Sequence, residues 1–136
     1  GRPQVKNDRH LTRDTTSVLA FLLLLQTNAD AANLDEQSYH LHQALNYMNI
    51  QAVDRCENAS ELAKSHLRKI DKAQNKELAS MKVSAETLLR TRKIEVTTIE
   101  SLRLRFSTFL DKNKVEHKDA WHREIERNCP KAPRVE

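Results

Sequence analysis

The segment "SELAKSHLRKIDKAQNKELASMKVSAETLLRTRKI", residues 60–94, carries the clearest helical pattern in the chain. If each residue advances a helix by about 100°, seven apolar side chains fall within an arc of roughly 120° on one side: Ala63, Leu67, Ile70, Ala73, Met81, Ala85 and Leu88. Most of its lysines and arginines fall on the opposite side, where only Glu61 and Glu86 interrupt them. The segment therefore predicts a long amphipathic helix with one buried face and one basic face.

The chain contains no glycine or proline between Gln4 and Cys129. At average usage, about fifteen of these residues would be expected over such a length. β-Hairpins and β-sandwiches depend on them, because tight turns need positive φ angles or the fixed proline ring. The composition therefore predicts an all-α protein whose helices are joined by turns of Asn, Asp and Ser.

Apolar stripes and capping patterns divide the chain into four expected helices. The apolar stripe of the second consists of Leu34, Leu41, Leu45, Met48, Ala52 and Cys56. Asn33-Leu-Asp-Glu36 is typical of a capping box, and so is Thr97-Thr-Ile-Glu100. Proline at position 130 should stop the last helix. We expect helices near residues 14–27, 34–57, 60–94 and 97–128.

These helices suit one up-down bundle of four helices over residues 14–129, with a basic N-terminal arm at 1–13 and a flexible tail at 130–136. With 136 residues, of which 38% are apolar, the chain is long enough to form a real core. The alternative merges the second and third helices into one of about 60 residues, some 90 Å long. That arrangement would be an elongated three-helix bundle.

Eight apolar residues follow one another from Val18 to Leu25. We expect a short core helix here that is buried nearly all round. A signal peptide is the alternative, because basic residues lie upstream and Ala29-Asp30-Ala31 suits its cleavage site. A membrane span needs about 20 apolar residues, so we expect none.

Cys56 and Cys129 are the only two cysteines. In an up-down bundle the second and fourth helices end at the same pole, and one cysteine lies at the end of each. We therefore expect a disulfide bond, which indicates an oxidising compartment and favours secretion. The alternative is a pair of reduced, buried thiols in an intracellular protein.

Asn58-Ala59-Ser60 is an N-glycosylation motif that lies at a predicted turn. Asn58 is therefore a candidate glycosylation site, in agreement with secretion. A motif this short also occurs by chance, so it adds little weight.

The sequence shows no pattern that indicates catalysis or metal binding. His40 and His42 point about 200° apart on a helix, so they cannot share a metal. His117 and His122 would form a weak site only with help from a neighbouring helix. Phosphate-binding loops need glycines, which the interior of the chain lacks. We therefore expect no enzyme activity, no cofactor and no metal.

Residues 60–105 form the most basic part of the chain, with eleven basic and six acidic side chains. The candidate binding residues on the basic helix face are Lys64, Arg68, Lys72, Lys76, Arg90 and Lys93. They favour an extracellular protein with an acidic surface, with a glycosaminoglycan or an anionic lipid as alternatives. A face that only keeps the protein soluble is the plainer interpretation.

Nucleic acid is not an expected partner. Aromatic residues make up 4% of the chain, and Phe106, Phe109 and Trp121 lie on the apolar stripe instead of among the cations. The chain therefore lacks a surface on which bases could stack. We expect Trp121 to be a core residue, with an exposed anchor for a partner as the alternative.

By architecture alone, the chain resembles small secreted helical bundles such as cytokines, which is an analogy of fold. The leading hypothesis is a secreted, non-enzymatic bundle that binds a protein partner as an effector, inhibitor or cytokine-like ligand. One alternative is an exchangeable bundle that opens onto lipid or another amphipathic ligand. Another is an intracellular coiled-coil adaptor, which requires reduced cysteines and a merged long helix.

Overall fold

The computed structural model describes residues 33–53 and 55–131, and all regular secondary structure in that part of the chain is helical. The all-α prediction is therefore confirmed. The basic arm 1–13, the predicted helix 14–27 and residues 132–136 lie outside the described residues. The helices are α1 at 33–52, α2 at Ala59–Arg68, α3 at Lys76–Thr91, α4 at Val96–Lys112, a 3-10 helix at Asp119–His122 and α5 at Arg123–Asn128.

The single helix predicted over residues 60–94 is wrong, because the chain leaves the helical path between α2 and α3. Asn75 starts the new helix: its side-chain oxygen accepts hydrogen bonds from the backbone N–H groups of Glu77 and Leu78, at 3.0 and 3.1 Å. Asparagine caps a first turn better than it supports a helix interior. The merged helix of the three-helix alternative is wrong too, since the chain also breaks between α1 and α2.

The last predicted helix, 97–128, is divided in the same way, because a loop separates α4 from the 3-10 helix and α5. Neither predicted capping box coincides with the first turn of its helix. Helix α4 begins one residue before Thr97, and Asn33 is already helical. The pattern of a polar residue followed by Glu also suits the first turn of a helix, where carboxylates are favoured, so it does not specify the first residue.

Two helices end in left-handed turns without a glycine. Arg92 after α3 has a φ angle of 57°, and Lys114 after α4 has one of 56°. The N–H of Lys93 donates to the carbonyl of Leu88 at 3.1 Å, which closes the end of α3. A residue with a Cβ pays about 1–2 kcal/mol for this conformation, so the surrounding packing must hold these turns in place.

Helix α1 is buried along the whole of residues 41–48. Three residues of its predicted apolar stripe, Leu41, Leu45 and Met48, are at most 1% exposed. The sequence predicts only that stripe to be covered, but the opposite face is covered as well. That face carries the polar side chains of His42, Gln43, Asn46 and Tyr47.

The buried polar atoms of α1 need partners, because desolvation without a hydrogen bond is costly. Most of them find one in the described structure. Three oxygen atoms, those of Ser38, Gln43 and Asn49, are buried without a hydrogen-bond partner among the described residues.

The other helices contribute to the same core. Helix α3 packs against both α2 and α4, and an ion pair between Arg105 and Glu77 joins α4 to α3. Trp121 is 5% exposed, so its prediction as a core residue is confirmed and the exposed-anchor alternative is wrong.

The two cysteines form the disulfide bond that the sequence predicts. Their sulfur atoms are 2.14 Å apart and their Cα atoms 5.6 Å apart. Cys56 lies in the connection between α1 and α2, and Cys129 directly follows α5. The bond therefore ties the end of the described chain to the end of α1.

Replacing both cysteines with alanine should lower the free energy of unfolding by about 4 kcal/mol, because the unfolded chain regains the entropy of an open loop. Urea unfolding followed by circular dichroism measures this change. A reductant should destabilise the wild-type protein by a similar amount and leave the double-alanine variant unaffected. Equal unfolding midpoints for the oxidised and reduced wild-type protein would contradict the prediction.

Candidate functional site

Three of the six basic residues predicted to bind a partner meet between α2 and α3. They border a surface depression of about 450 Å³, which we call the basic cleft. Two buried leucines and one glutamate complete its lining. The residues of the basic cleft are Lys64, Leu67, Arg68, Glu86, Leu89 and Arg90.

The other three predicted binding residues lie elsewhere. Lys72 lies in the connection between α2 and α3, and Lys93 lies beyond the end of α3. Lys76 is the first residue of α3 and lines a different depression, between α3 and α4. The six predicted residues therefore do not form one basic helix face, because the long helix on which that face depends is broken.

The charge of the basic cleft is positive, with three cations and one carboxylate in its lining. Lys64 also pairs with Glu61 at 3.4 Å, but both side chains are well exposed. Exposed ion pairs of this kind contribute about 0–1 kcal/mol to stability. Glu61 therefore competes only weakly with an external ligand for Lys64. Arg68 and Arg90 are both exposed. Their planar guanidinium groups are suited to carboxylates.

A second cluster, the Glu124 junction, comprises Glu124, Tyr39, Tyr47 and His66. Tyr47 donates to one carboxylate oxygen at 2.7 Å, and His66 Nε2 lies 2.6 Å from the same oxygen. Tyr39 donates to the other oxygen at 3.3 Å. The carboxylate of α5 thus joins α1 to α2, and its side chain is 22% exposed.

The hydrogen-bonded chain extends past His66, whose Nδ1 lies 3.0 Å from Nδ1 of His40. If His66 donates from Nε2 to Glu124, Nδ1 of its neutral ring is the acceptor for the N–H of His40. On the other side, Asn128 donates to the hydroxyl of Tyr47 at 3.2 Å. The network therefore connects three helices through side chains that the sequence places far apart.

The pKa values at the junction follow from burial and these hydrogen bonds. Burial by itself would raise the pKa of Glu124, but the hydrogen bonds from Tyr47 and His66 outweigh it and hold the pKa below its usual range. Burial and the nearby Glu124 carboxylate raise the pKa of Tyr39. Burial, the His66 ring and Lys69 lower the pKa of His40. The junction therefore favours an ionised Glu124 and protonated tyrosines.

A third cluster contains three histidines. The His42 ring centroid lies 4.8 Å from that of His117 and 5.4 Å from that of His122. The sequence analysis expected a site at His117 and His122 only if a neighbouring helix contributed a side chain. Helix α1 contributes His42 at this place. Among the described residues, however, no group of His, Cys, Asp and Glu side chains has a geometry that could hold a metal ion.

His42 is 3% exposed, and Asn46 donates to its ring at 3.1 Å. Burial, followed by the nearby His117, His122 and Arg103, lowers the pKa of His42 to about 3. The ring is therefore neutral at ordinary pH. Between pH 6.5, the ordinary pKa of a histidine, and about pH 3, His42 is protonated more readily in the unfolded chain than in the folded protein.

Sequence reasoning missed the Glu124 junction and did not place His42 beside His117 and His122. It identified one apolar stripe on helix α1 and made no prediction for the polar face. A signal was present in that face: residues 37–51 contain two histidines, two tyrosines and several amides but no charged side chain. A solvated helix face usually carries charged residues.

The asparagine of the glycosylation motif lies on the surface. Asn58 is exposed at the start of α2, and its side chain makes no capping hydrogen bond there. Its amide is therefore not used by the helix that it precedes. Glycosylation of Asn58 stays a prediction.

No protein-family model, curated protein or solved structure matches the chain. Nor is any helix of the described part long and apolar enough to span a bilayer. The functional interpretation therefore depends on the geometry and charge of this chain's own residues.

Replacing Glu124 with Gln should lower the free energy of unfolding by about 2–3 kcal/mol, because it removes the charge from three partly buried hydrogen bonds. Urea unfolding measures the change. Glu126→Gln is the matched control, since Glu126 is exposed on the same helix. It should change stability by less than about 0.5 kcal/mol. Equal stability of the two variants would exclude the junction as a stabilising element.

Lowering the pH from 6.5 towards 3 should destabilise the protein through His42. In this window the unfolded chain binds a proton at His42 that the folded protein does not, so the free energy of unfolding falls as the pH falls. His42→Gln should flatten this dependence, whereas a control change at exposed His117 should alter it less. Urea midpoints measured across the range provide the test, and parallel curves for wild type and His42→Gln would contradict it.

Proposed function

We propose that this protein is a secreted, non-enzymatic helical domain that binds a protein partner with an acidic surface, as an effector, inhibitor or cytokine-like ligand. The observation that carries the proposal is the convergence of Lys64, Arg68 and Arg90 at the basic cleft. The up-down path of the helices is part of the proposal. The disulfide bond between the chain after α1 and the chain after α5 supports that path.

The chemistry of the basic cleft suits a carboxylate-bearing partner. Residues 59–93, which form α2, α3 and their connection, carry nine basic and four acidic side chains. The two leucines of the lining are at most 6% exposed, so they give the cleft an apolar floor beneath its charged rim. An arginine beside an apolar pocket is a common hot spot of protein interfaces.

An extracellular location is supported by the disulfide bond, which persists in oxidising compartments and is rare in the cytosol. The intracellular adaptor is disfavoured, because it requires reduced cysteines and a continuous long helix. The exchangeable lipid-binding bundle is disfavoured as well. Opening α1 away from its neighbours would expose the hydrogen bonds of the Glu124 junction and is opposed by the Cys56–Cys129 bond.

Charge reversal tests the basic cleft. In capture experiments from extracellular fluid of the source organism, Lys64→Glu/Arg68→Glu/Arg90→Glu should weaken retention of the partner by about tenfold or more. The matched control is Lys72→Glu/Lys76→Glu/Lys93→Glu, which makes the same change in net charge at positions outside the cleft. Quantitative mass spectrometry of the captured proteins measures both effects.

Heparin and vesicles of anionic lipid serve as separate probes in the same experiment. Binding that both triple variants weaken equally would indicate a non-specific attraction and contradict a site at the cleft. Retention by heparin or vesicles but by no protein would assign the basic residues to a glycosaminoglycan or lipid surface and overturn the proposed partner class.

A further inference from the structure

Helices α3 and α4 pack against each other, and a shallow groove follows their contact on the exposed surface. Two depressions of about 650 and 480 Å³ lie along it, and Ser101 and Arg105 border both of them. We call this surface the α3–α4 groove. Two of the four large apolar side chains that are exposed in the described part of the chain lie on it: Val83 is 58% exposed and Leu104 is 71% exposed.

The charges of the α3–α4 groove are gathered towards one end. Arg105 is the one charged residue among the described residues that line the smaller depression, and it is bonded to Glu77. Lys76, Glu77 and Lys112 border only the larger depression, at the start of α3 and the end of α4. The rest of the described lining is uncharged, although charged residues make up 31% of the chain. Such a depletion of charge is typical of the centre of protein interfaces.

The hydroxyl groups of the groove are partly satisfied already. Thr87 donates to the carbonyl of Val83 at 2.8 Å, and Thr108 donates to that of Leu104 at 3.2 Å. Each of these donors therefore keeps its hydrogen bond when a partner excludes water from the groove. The surface is accordingly less costly to desolvate than its threonine content indicates.

The lining residues on α4 have the spacing of a helix-packing site. Those of the larger depression include Ser101, Leu104, Arg105 and Thr108, and those of the smaller include Thr98, Ser101, Leu102 and Arg105. Within each set the second, third and fourth residues follow the first by three, four and seven positions. Four residues in this arrangement surround one hole on a helix, into which a side chain of a facing helix inserts.

The position of Leu104 indicates what the facing helix is. Leu104 is the middle residue of α4, Val96–Lys112, and it is the most exposed large apolar side chain in the described part of the chain. Two copies of one protein usually meet through the same surface on both copies. If a second α4 runs antiparallel across the groove, each Leu104 reaches the hole of the other chain. The start of each helix then lies beside the end of the other, which the helix dipoles favour.

The carboxylates of α4 fit this antiparallel arrangement. Glu100 and Asp111 are exposed and lie on the same side of the helix as Leu104, four residues before it and seven after it. Reversal about Leu104 brings Glu100 to the level of Thr108 in the other copy. It brings Asp111 to the level of Thr97. A parallel arrangement would instead place each carboxylate beside its own counterpart, and like charges repel each other.

We propose that the α3–α4 groove is the contact surface of a homodimer, in which α4 of a second copy lies antiparallel across it. Leu104 of each chain inserts between α3 and α4 of the other. No described residue lines both this groove and the basic cleft, so dimerisation and the proposed partner binding are tested separately.

Sedimentation equilibrium of the full chain at concentrations up to about 1 mM should show a monomer–dimer equilibrium. Leu104→Glu places two unpaired charges at the centre of the contact, so it should weaken dimerisation by about tenfold or more. The matched control is Val53→Glu, because Val53 is 40% exposed after the end of α1 and lines neither depression. The control should change dimerisation by less than about twofold.

New cysteines test the orientation without a change of charge at Leu104. Both native cysteines are joined in the disulfide bond, so an added thiol has no thiol partner in its own chain. A mixture of the Thr97→Cys and Asp111→Cys variants should form disulfide-linked heterodimers faster than either variant alone forms homodimers. Mass measurement under non-reducing conditions distinguishes the three products.

A full chain that stays monomeric up to about 1 mM would overturn the proposal. A dimer that Leu104→Glu and Val53→Glu leave equally stable would also overturn it, because the contact would then lie elsewhere. Faster linkage of Thr97→Cys to itself than to Asp111→Cys would exclude the antiparallel arrangement. If a monomer instead binds phosphatidylcholine vesicles or a different protein through Leu104, the groove belongs to that occupant and the homodimer is excluded.

Discussion

The covered polar face of α1 is the constraint on which the rest of the described structure depends. Buried amides, imidazoles and hydroxyls each cost about 1–3 kcal/mol if they lose their hydrogen bonds. The chain after α4 supplies several of the partners: the carbonyl of Trp121 accepts from Gln43, and Glu124 accepts from Tyr47. The disulfide bond holds the end of that chain beside α1. The covalent bond and the buried hydrogen bonds therefore stabilise the same contact.

Helix α2 connects this interior to the outer surface. On one side of the helix, His66 is 4% exposed and reaches the carboxylate of Glu124. On another side, Lys64 and Arg68 border the basic cleft. Because α2 is bonded to the core through His66, two of the three cleft cations, Lys64 and Arg68, are presented by a fixed element. A rigid surface loses little conformational entropy on binding, which favours affinity and specificity for a partner.

The fold class follows from the chain's composition, but the helix boundaries do not. An interior without glycine or proline excludes tight hairpins, and the two cysteines allow one pairing. The break between α2 and α3 escaped prediction because Asn75 lies within an otherwise regular amphipathic pattern. The Asn75 cap stabilises the start of α3 by about 1 kcal/mol. Local propensity does not show whether that cap and the packing of two shorter helices are more stable than one long helix. Because the break redirects α3, three of the six predicted binding residues meet at the basic cleft and the other three do not.

The sequence by itself determines three properties of this chain, because they depend on local periodicity and on residue counts. These are the helical class, the disulfide pair and the position of the most basic segment. The burial of α1, the Glu124 junction and the histidine cluster are decided by contacts between distant segments. Tyr39 and Glu124 are 85 residues apart, and Gln43 and Trp121 are 78 apart. A polar helix face can be exposed to water, or it can be buried in a core that supplies hydrogen-bond partners for its side chains. Only the folded arrangement of partners distinguishes the two.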